Sequence, residues 1–169
     1  MKASTIRVLI VVLIIGGSFA YRFFFVDSDE VIEFNNALID MITQSNTRFD
    51  NISELEDKYY IGETIDVKNM TLVQEVLADR IQKDLVRLNG IEIPDNELCR
   101  EFHMSCLNYI ENSLKLAGKY AEVIDYISKN NPCKDEEAGF AAIELLTDDL
   151  LIKDEKLLDA AIASQEKVA

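Results

Sequence analysis

The sequence predicts an all-α fold: an N-terminal transmembrane or signal-anchor helix, then an antiparallel bundle of four to six helices. Three observations lead there. Apolar residues recur at alternating steps of three and four along most of the chain after residue 30, the period that lines them up on one face of a helix. No segment shows the sustained Val/Ile/Thr alternation of a half-buried strand. Gly and Pro, 6 and 2 in 169 residues, are too few for the many turns of a β-sandwich. Hydrophobic residues make up 49% of the chain, enough to build a packed core and too many for a disordered protein. The length divides into a leading segment, residues 1–26, and one acidic domain, residues 27–169.

The leading segment sets the expected compartment. Lys2 and Arg7 precede an apolar run that includes Val8, Leu13 and Ile15, and after Arg22 it continues through Phe23 and Phe25; the first acid is Asp27. A positive head before a long apolar run is an export signal that leaves its positives in the cytoplasm and the body outside, periplasmic or extracellular. Two lengths compete. Val8 to Tyr21 would rise about 21 Å as a helix, short of the roughly 30 Å hydrocarbon core, with Ser18-Phe19-Ala20 as a cleavage site that releases a secreted chain. Val8 to Val26 would rise about 28 Å and just span, with Arg22 snorkelling and the aromatic rings in the interfacial belt. The second, a retained single-pass anchor in the cell membrane, is preferred.

The formal charge of the chain is −14. Setting aside residues 1–26 removes three basic residues and no acid, leaving 31 acidic against 14 basic, −17. Such a body lacks the clustered cations that phosphate contacts need, which argues against nucleic acid, and an anionic lipid surface repels it.

Along the body, Asp27 and Glu30 have the spacing of a capping box with acids in a first turn. Val31, Phe34, Leu38, Met41, Ser45, Phe49, Ile52, Leu55 and Tyr59 then form one stripe with a near-heptad rhythm. That stripe suits packing on the chain's own other helices, or a coiled-coil seam with a partner or a second copy. A second helix is expected over Val73, Val76, Leu77, Ile81, Leu85 and Leu88, capped by Asp66 or Asn69 and stopped at Asn89-Gly90. Pro94 is placed to open a third. The third pattern runs from Leu98 to Ile127 and keeps its phase across Gly118, so periodicity leaves open whether the chain bends there. A last helical region follows Asp135-Glu136 through Phe140, Ile143, Leu146 and Leu150 to Ile162, with a break expected around Lys153-Asp154.

Gly118 to Tyr126, closed by Asn131-Pro132, resembles the turn and second helix of a tetratricopeptide repeat. The resemblance covers about one repeat, with Val123 where the motif has a small residue and no second copy at a fixed period; it implies a stand-alone helical hairpin.

Three cysteines outside the cytoplasm would allow one disulfide. Cys99 and Cys106 are seven apart, about 10.5 Å along a helix, beyond the roughly 7 Å a disulfide tolerates. Cys106 and Cys133 would be about 40 Å apart on a straight helix but side by side if it folds back at Gly118. The expected bridge is Cys106–Cys133, with Cys99–Cys133 as the alternative and three unpaired thiols as the third reading.

Chemistry is sparsely signalled. His103 is the single histidine, and with Cys99 and Cys106 it makes the one constellation resembling a soft-metal site, with Cys133 or Met104 as an extra donor. A non-covalent haem would need His103 with Met41 or Met70. The expectation is nevertheless no metal, no cofactor and no enzyme activity, because the chain carries no phosphate loop, nucleophile elbow, His-Glu-x-x-His helix or EF-hand spacing. The sequence thus points to a non-catalytic, membrane-anchored extracytoplasmic module acting as an interaction or accessory subunit. Its expected partners are the membrane, through the leading helix, and a protein or a second copy. The alternatives are an extracytoplasmic ligand-binding bundle of the kind sensors use, and a small metal or haem carrier built on Cys99, His103 and Cys106.

Overall fold

A computed structural model describes residues 29–168, and every regular element among them is an α-helix. In chain order these are α1 (Asp29–Asn46), α2 (Asp50–Tyr60), α3 (Val67–Asn89), α4 (Glu97–Lys129) and α5 (Glu136–Val168). The expected anchor, with Val8, Leu13, Ile15, Phe23 and Phe25, lies outside the described residues, as does Asp27 of the expected capping box. Among the described residues no helix is long and apolar enough to cross a membrane.

The bundle is assembled around α4. Phe102, Cys106, Tyr109, Ile110, Leu116, Ala117, Tyr120, Val123, Ile124 and Ile127 are all buried, a band wider than one stripe, because α3 and α5 both pack along this helix and α1 adds a third contact. Burial of each large aliphatic side chain here contributes about 1.5–3 kcal/mol. Polar contacts show that both neighbours run antiparallel to α4. On α3, Leu88 meets His103 while Gln74 Nε2 donates to Ala117 O at 2.8 Å. On α5, Ser105 pairs with Ser164 at 3.0 Å, while Asn112 Nδ2 donates to Leu150 O at 3.1 Å. A short polar knot lies on the α4–α5 seam: Asp154 Oδ1 accepts from Ser113 Oγ at 2.8 Å and from Asn112 Nδ2 at 3.1 Å.

Helix boundaries follow local chemistry in places. Asp66 caps α3, its Oδ1 accepting from the Lys68 and Asn69 backbone N–H at 3.0 and 3.2 Å, and Gly90 ends it. Asn96 caps α4 through Leu98 N at 2.8 Å, which leaves Pro94 two residues ahead of the cap rather than in the first turn. At the far end, Asn131 ties the α2–α3 loop to the α4–α5 loop: its Oδ1 accepts from Ile65 N at 2.9 Å and its Nδ2 donates to Ile65 O at 2.7 Å.

Three expectations are corrected. The long stripe of residues 31–59 is two helices, broken at Thr47-Arg48-Phe49, where the Arg48 guanidinium, 6% exposed, forms an ion pair with Asp84 of α3. Its apolar members Phe34, Leu38, Met41, Ile52 and Tyr59 are buried in the chain's own core, the self-packing reading of that stripe. The chain does not fold back at Gly118: α4 runs unbroken from Glu97 to Lys129, so the hairpin implied by the tetratricopeptide-like stretch is absent. Likewise α5 continues through Lys153-Asp154, where Asp154 takes the two α4 donors instead of marking a break. In addition Val76 and Phe140, expected inside, are exposed.

Gly118 faces solvent in the helix interior, with nothing within 4 Å of where a Cβ would sit. Gly118→Ala is therefore expected to raise the unfolding free energy by about 0.5–1 kcal/mol in urea titrations, since Ala loses less backbone entropy in a helix. A chain that turned at Gly118 would lose stability instead.

Candidate functional site

Cys99, His103 and Cys106 lie along one side of the first turns of α4, and all three are buried. The ring of His103 is occupied structurally: Nε2–H donates to Leu88 O at 2.9 Å, tying the C-terminal turn of α3 to α4. Met104 is exposed and points away, whereas Cys133 lies beyond the opposite end of α4. Met41 and Met70 are buried among the aliphatic residues of the core. Among the described residues no three His, Cys, Asp or Glu side chains gather closely enough to hold a metal ion. Burial pushes the Cys106 thiol well above its ordinary pKa, which keeps it protonated and unreactive.

All three cysteines carry unbridged thiols. The Cys106–Cys133 bridge required a fold-back at Gly118; with α4 continuous, these two residues are separated by most of the helix, and the Cys99–Cys133 alternative by still more. Cys133 belongs to a different cluster, where α2, the α4–α5 loop and the start of α5 converge. Its Sγ donates to Asp135 O at 3.2 Å, and the buried Tyr59 hydroxyl donates to Asn130 O at 3.4 Å. Gly139 allows this approach, because a Cβ there would come within 2.7 Å of Cys133 Sγ and 3.4 Å of Tyr59 Cε1. Tyr60 packs at a tilt of 57° against Phe140 with centroids 5.5 Å apart. Burial, followed by Cys133, raises the Tyr59 phenol far above its ordinary pKa, so its hydroxyl keeps its proton.

Two groups that the sequence reading passed over stand out. Glu56 on α2 has its Oε1 sealed from solvent without a hydrogen-bond partner, and burial, followed by the charge of Asp57, raises its pKa to about 7. The signal was present in the spacing Ile52, Glu56, Tyr59, which puts the acid on the packed face. The second group is apolar and outward. Leu145 and Ile152 on α5 are 87% and 43% exposed on one stripe, flanked by exposed Glu144, Asp148, Asp149 and Glu155 and by exposed Lys153 and Lys156. The expected period of α5 assigned its inward residues and said nothing of these.

The chain matches no family model, no curated protein and no solved structure.

The thiol environments make a direct prediction. In the native protein a maleimide should label the half-buried Cys133 before Cys99 and Cys106, which should label only on unfolding; an unreduced, denatured sample should count three thiols, whereas either expected bridge would leave one.

Proposed function

We propose that this protein is a non-catalytic, membrane-anchored module whose acidic bundle lies outside the cytoplasm and acts as an interaction or accessory subunit, using the outer face of α5 to hold a protein partner. The observation that carries the reading is the pair Leu145 and Ile152, large aliphatic side chains exposed seven residues, about 10.5 Å, apart on one stripe. Covering each would contribute about 1.5–3 kcal/mol before the costs of association. Aliphatic anchors among four acids and two lysines, acidic on balance, fit a counter-surface with two apolar recesses and a mainly basic rim, which would also speed encounter.

Placement at a membrane is supported by sequence: the apolar run of residues 8–26 follows Lys2 and Arg7 and ends immediately before the acidic domain. Anchoring confines the bundle near the bilayer, while its charge holds it off anionic lipid, so the favoured contact is with another protein at the same surface.

The test is cross-linking and purification from native membranes, comparing wild type with a Leu145→Glu/Ile152→Glu variant. We expect one stoichiometric partner with a basic exposed surface, its recovery lowered about tenfold or more by the double substitution and by raised salt, and unaffected by Leu72→Glu/Val86→Glu on the exposed face of α3. Equal recovery from both variants would remove α5 as the contact. Labelling of the body from the cytoplasmic side would remove the topology.

A further inference from the structure

With 11 residues, α2 is the shortest helix of the bundle, and few groups hold it. Ile52 and Tyr59 are buried, Tyr60 packs at a tilt against Phe140 of α5, and the Arg48–Asp84 ion pair fixes the corner ahead of it to α3. On the same packed face, one turn after Ile52 and one turn before Tyr60, stands Glu56. A carboxylate in that position needs a cation or several donors to be tolerated. Glu56 is half-buried as a whole, but its Oε1 has neither: that oxygen is sealed from solvent and accepts no hydrogen bond.

The surroundings do not compensate a negative charge. Asp57, the neighbour on α2, opposes it. Lys58 on the same helix is bonded to Glu54 at 2.7 Å. Tyr60, one turn on, is a phenol whose own ionisation is raised first by burial and then by Glu56 and Asp57. Burial and Asp57 are what act on the Glu56 carboxyl; the charges of α3 (Lys68, Glu75, Asp79, Arg80), of the α4–α5 loop (Lys134, Asp135) and of the start of α5 (Glu136, Glu137, Glu144) do not shift it.

We propose that Glu56 makes the docking of α2 proton-dependent: the helix lies clamped on α3 and α5 while this carboxyl keeps its proton, and loosens when it ionises. The direction follows from linkage. Undocked, Glu56 meets water and titrates near the ordinary value of 4.5; docked, it titrates at about 7. The docked form binds the proton more tightly, so its advantage is complete below the undocked value, declines as pH rises, and is gone above about 7. Loosening α2 withdraws Tyr59 and Tyr60 from Cys133, Gly139 and Phe140, which uncovers the Cys133 thiol. The latch operates whichever partner α5 takes, so it stands or falls separately from the contact proposed above.

The test is hydrogen exchange of the full-length protein in detergent from pH 5.5 to 8, corrected for intrinsic rates, following residues 50–60 against residues 102–116 of α4. In wild type the protection of α2 should fall about tenfold or more across that range while that of α4 holds. Glu56→Gln and Glu56→Met should each keep α2 protected throughout. If either variant misfolds, the wild-type maleimide rate at Cys133, divided by the rate of the same thiol in the unfolded chain, should rise over the same range. Parallel protection of α2 and α4 in wild type, a pH response that survives in the variants, or a flat normalised Cys133 rate would each overturn the proposal.

Discussion

The fold depends on the thirty-three residues of α4 forming one continuous helix. Its buried band is the surface on which α3, α5 and α1 are laid, and the polar contacts that orient α3 and α5 are spread along its length, from His103 and Ser105 near its start to Ala117 past its middle. A glycine at position 118 disfavours that continuity by roughly 1 kcal/mol. The side chains around it favour continuity by more: Leu116, Ala117, Tyr120 and Val123 are each buried on either side of the glycine, and turning the chain there would pull them off their neighbours. Non-local burial therefore decides the conformation at Gly118 against its local preference.

Stability is distributed unevenly around this axis. The α4–α5 pair is long, apolar and laced by buried polar contacts, whereas α2 is short and carries an unsatisfied acid on its packed side. Elements with few buried groups open at a smaller cost than the global unfolding free energy. The arrangement gives the molecule a stiff slab that presents α5 outward and a lightly held helix at one end. The two regions meet at Gly139, the close-approach glycine in the first turn of α5.

What was legible in the sequence was whatever local chemistry decides. The three-four period gave the all-helical class, Asp66 and Asn89-Gly90 marked the ends of α3, and the core stripes of α1 and α4 are largely those expected. The corner at residues 47–49 was hidden because the apolar stripe keeps its phase across it; Arg48 finds Asp84 some thirty-six residues away, and no window of local periodicity contains that pair. Gly118 and Lys153-Asp154 misled in the opposite sense, since residues that often interrupt helices here lie on an exposed face or are satisfied by another helix. The cysteine expectation inherited the error at Gly118. Glu56 escapes an apolar period because the stripe is traced through Ile52, Leu55 and Tyr59, and an acid one turn after Ile52 has no place among them.

The knot formed by Asn112, Ser113 and Asp154 has a consequence for alignment. Two long helices joined only by aliphatic side chains can shift by a heptad and still match greasy surface to greasy surface. Here such a slip would part Asn112 and Ser113 from the Asp154 carboxylate inside the seam, at about 1–3 kcal/mol for each buried donor that loses its bond. The knot acts as a vernier mark, setting each turn of α5 opposite one particular turn of α4. The outward bristles of α5 are thereby held at one fixed height along the bundle in every copy of the molecule.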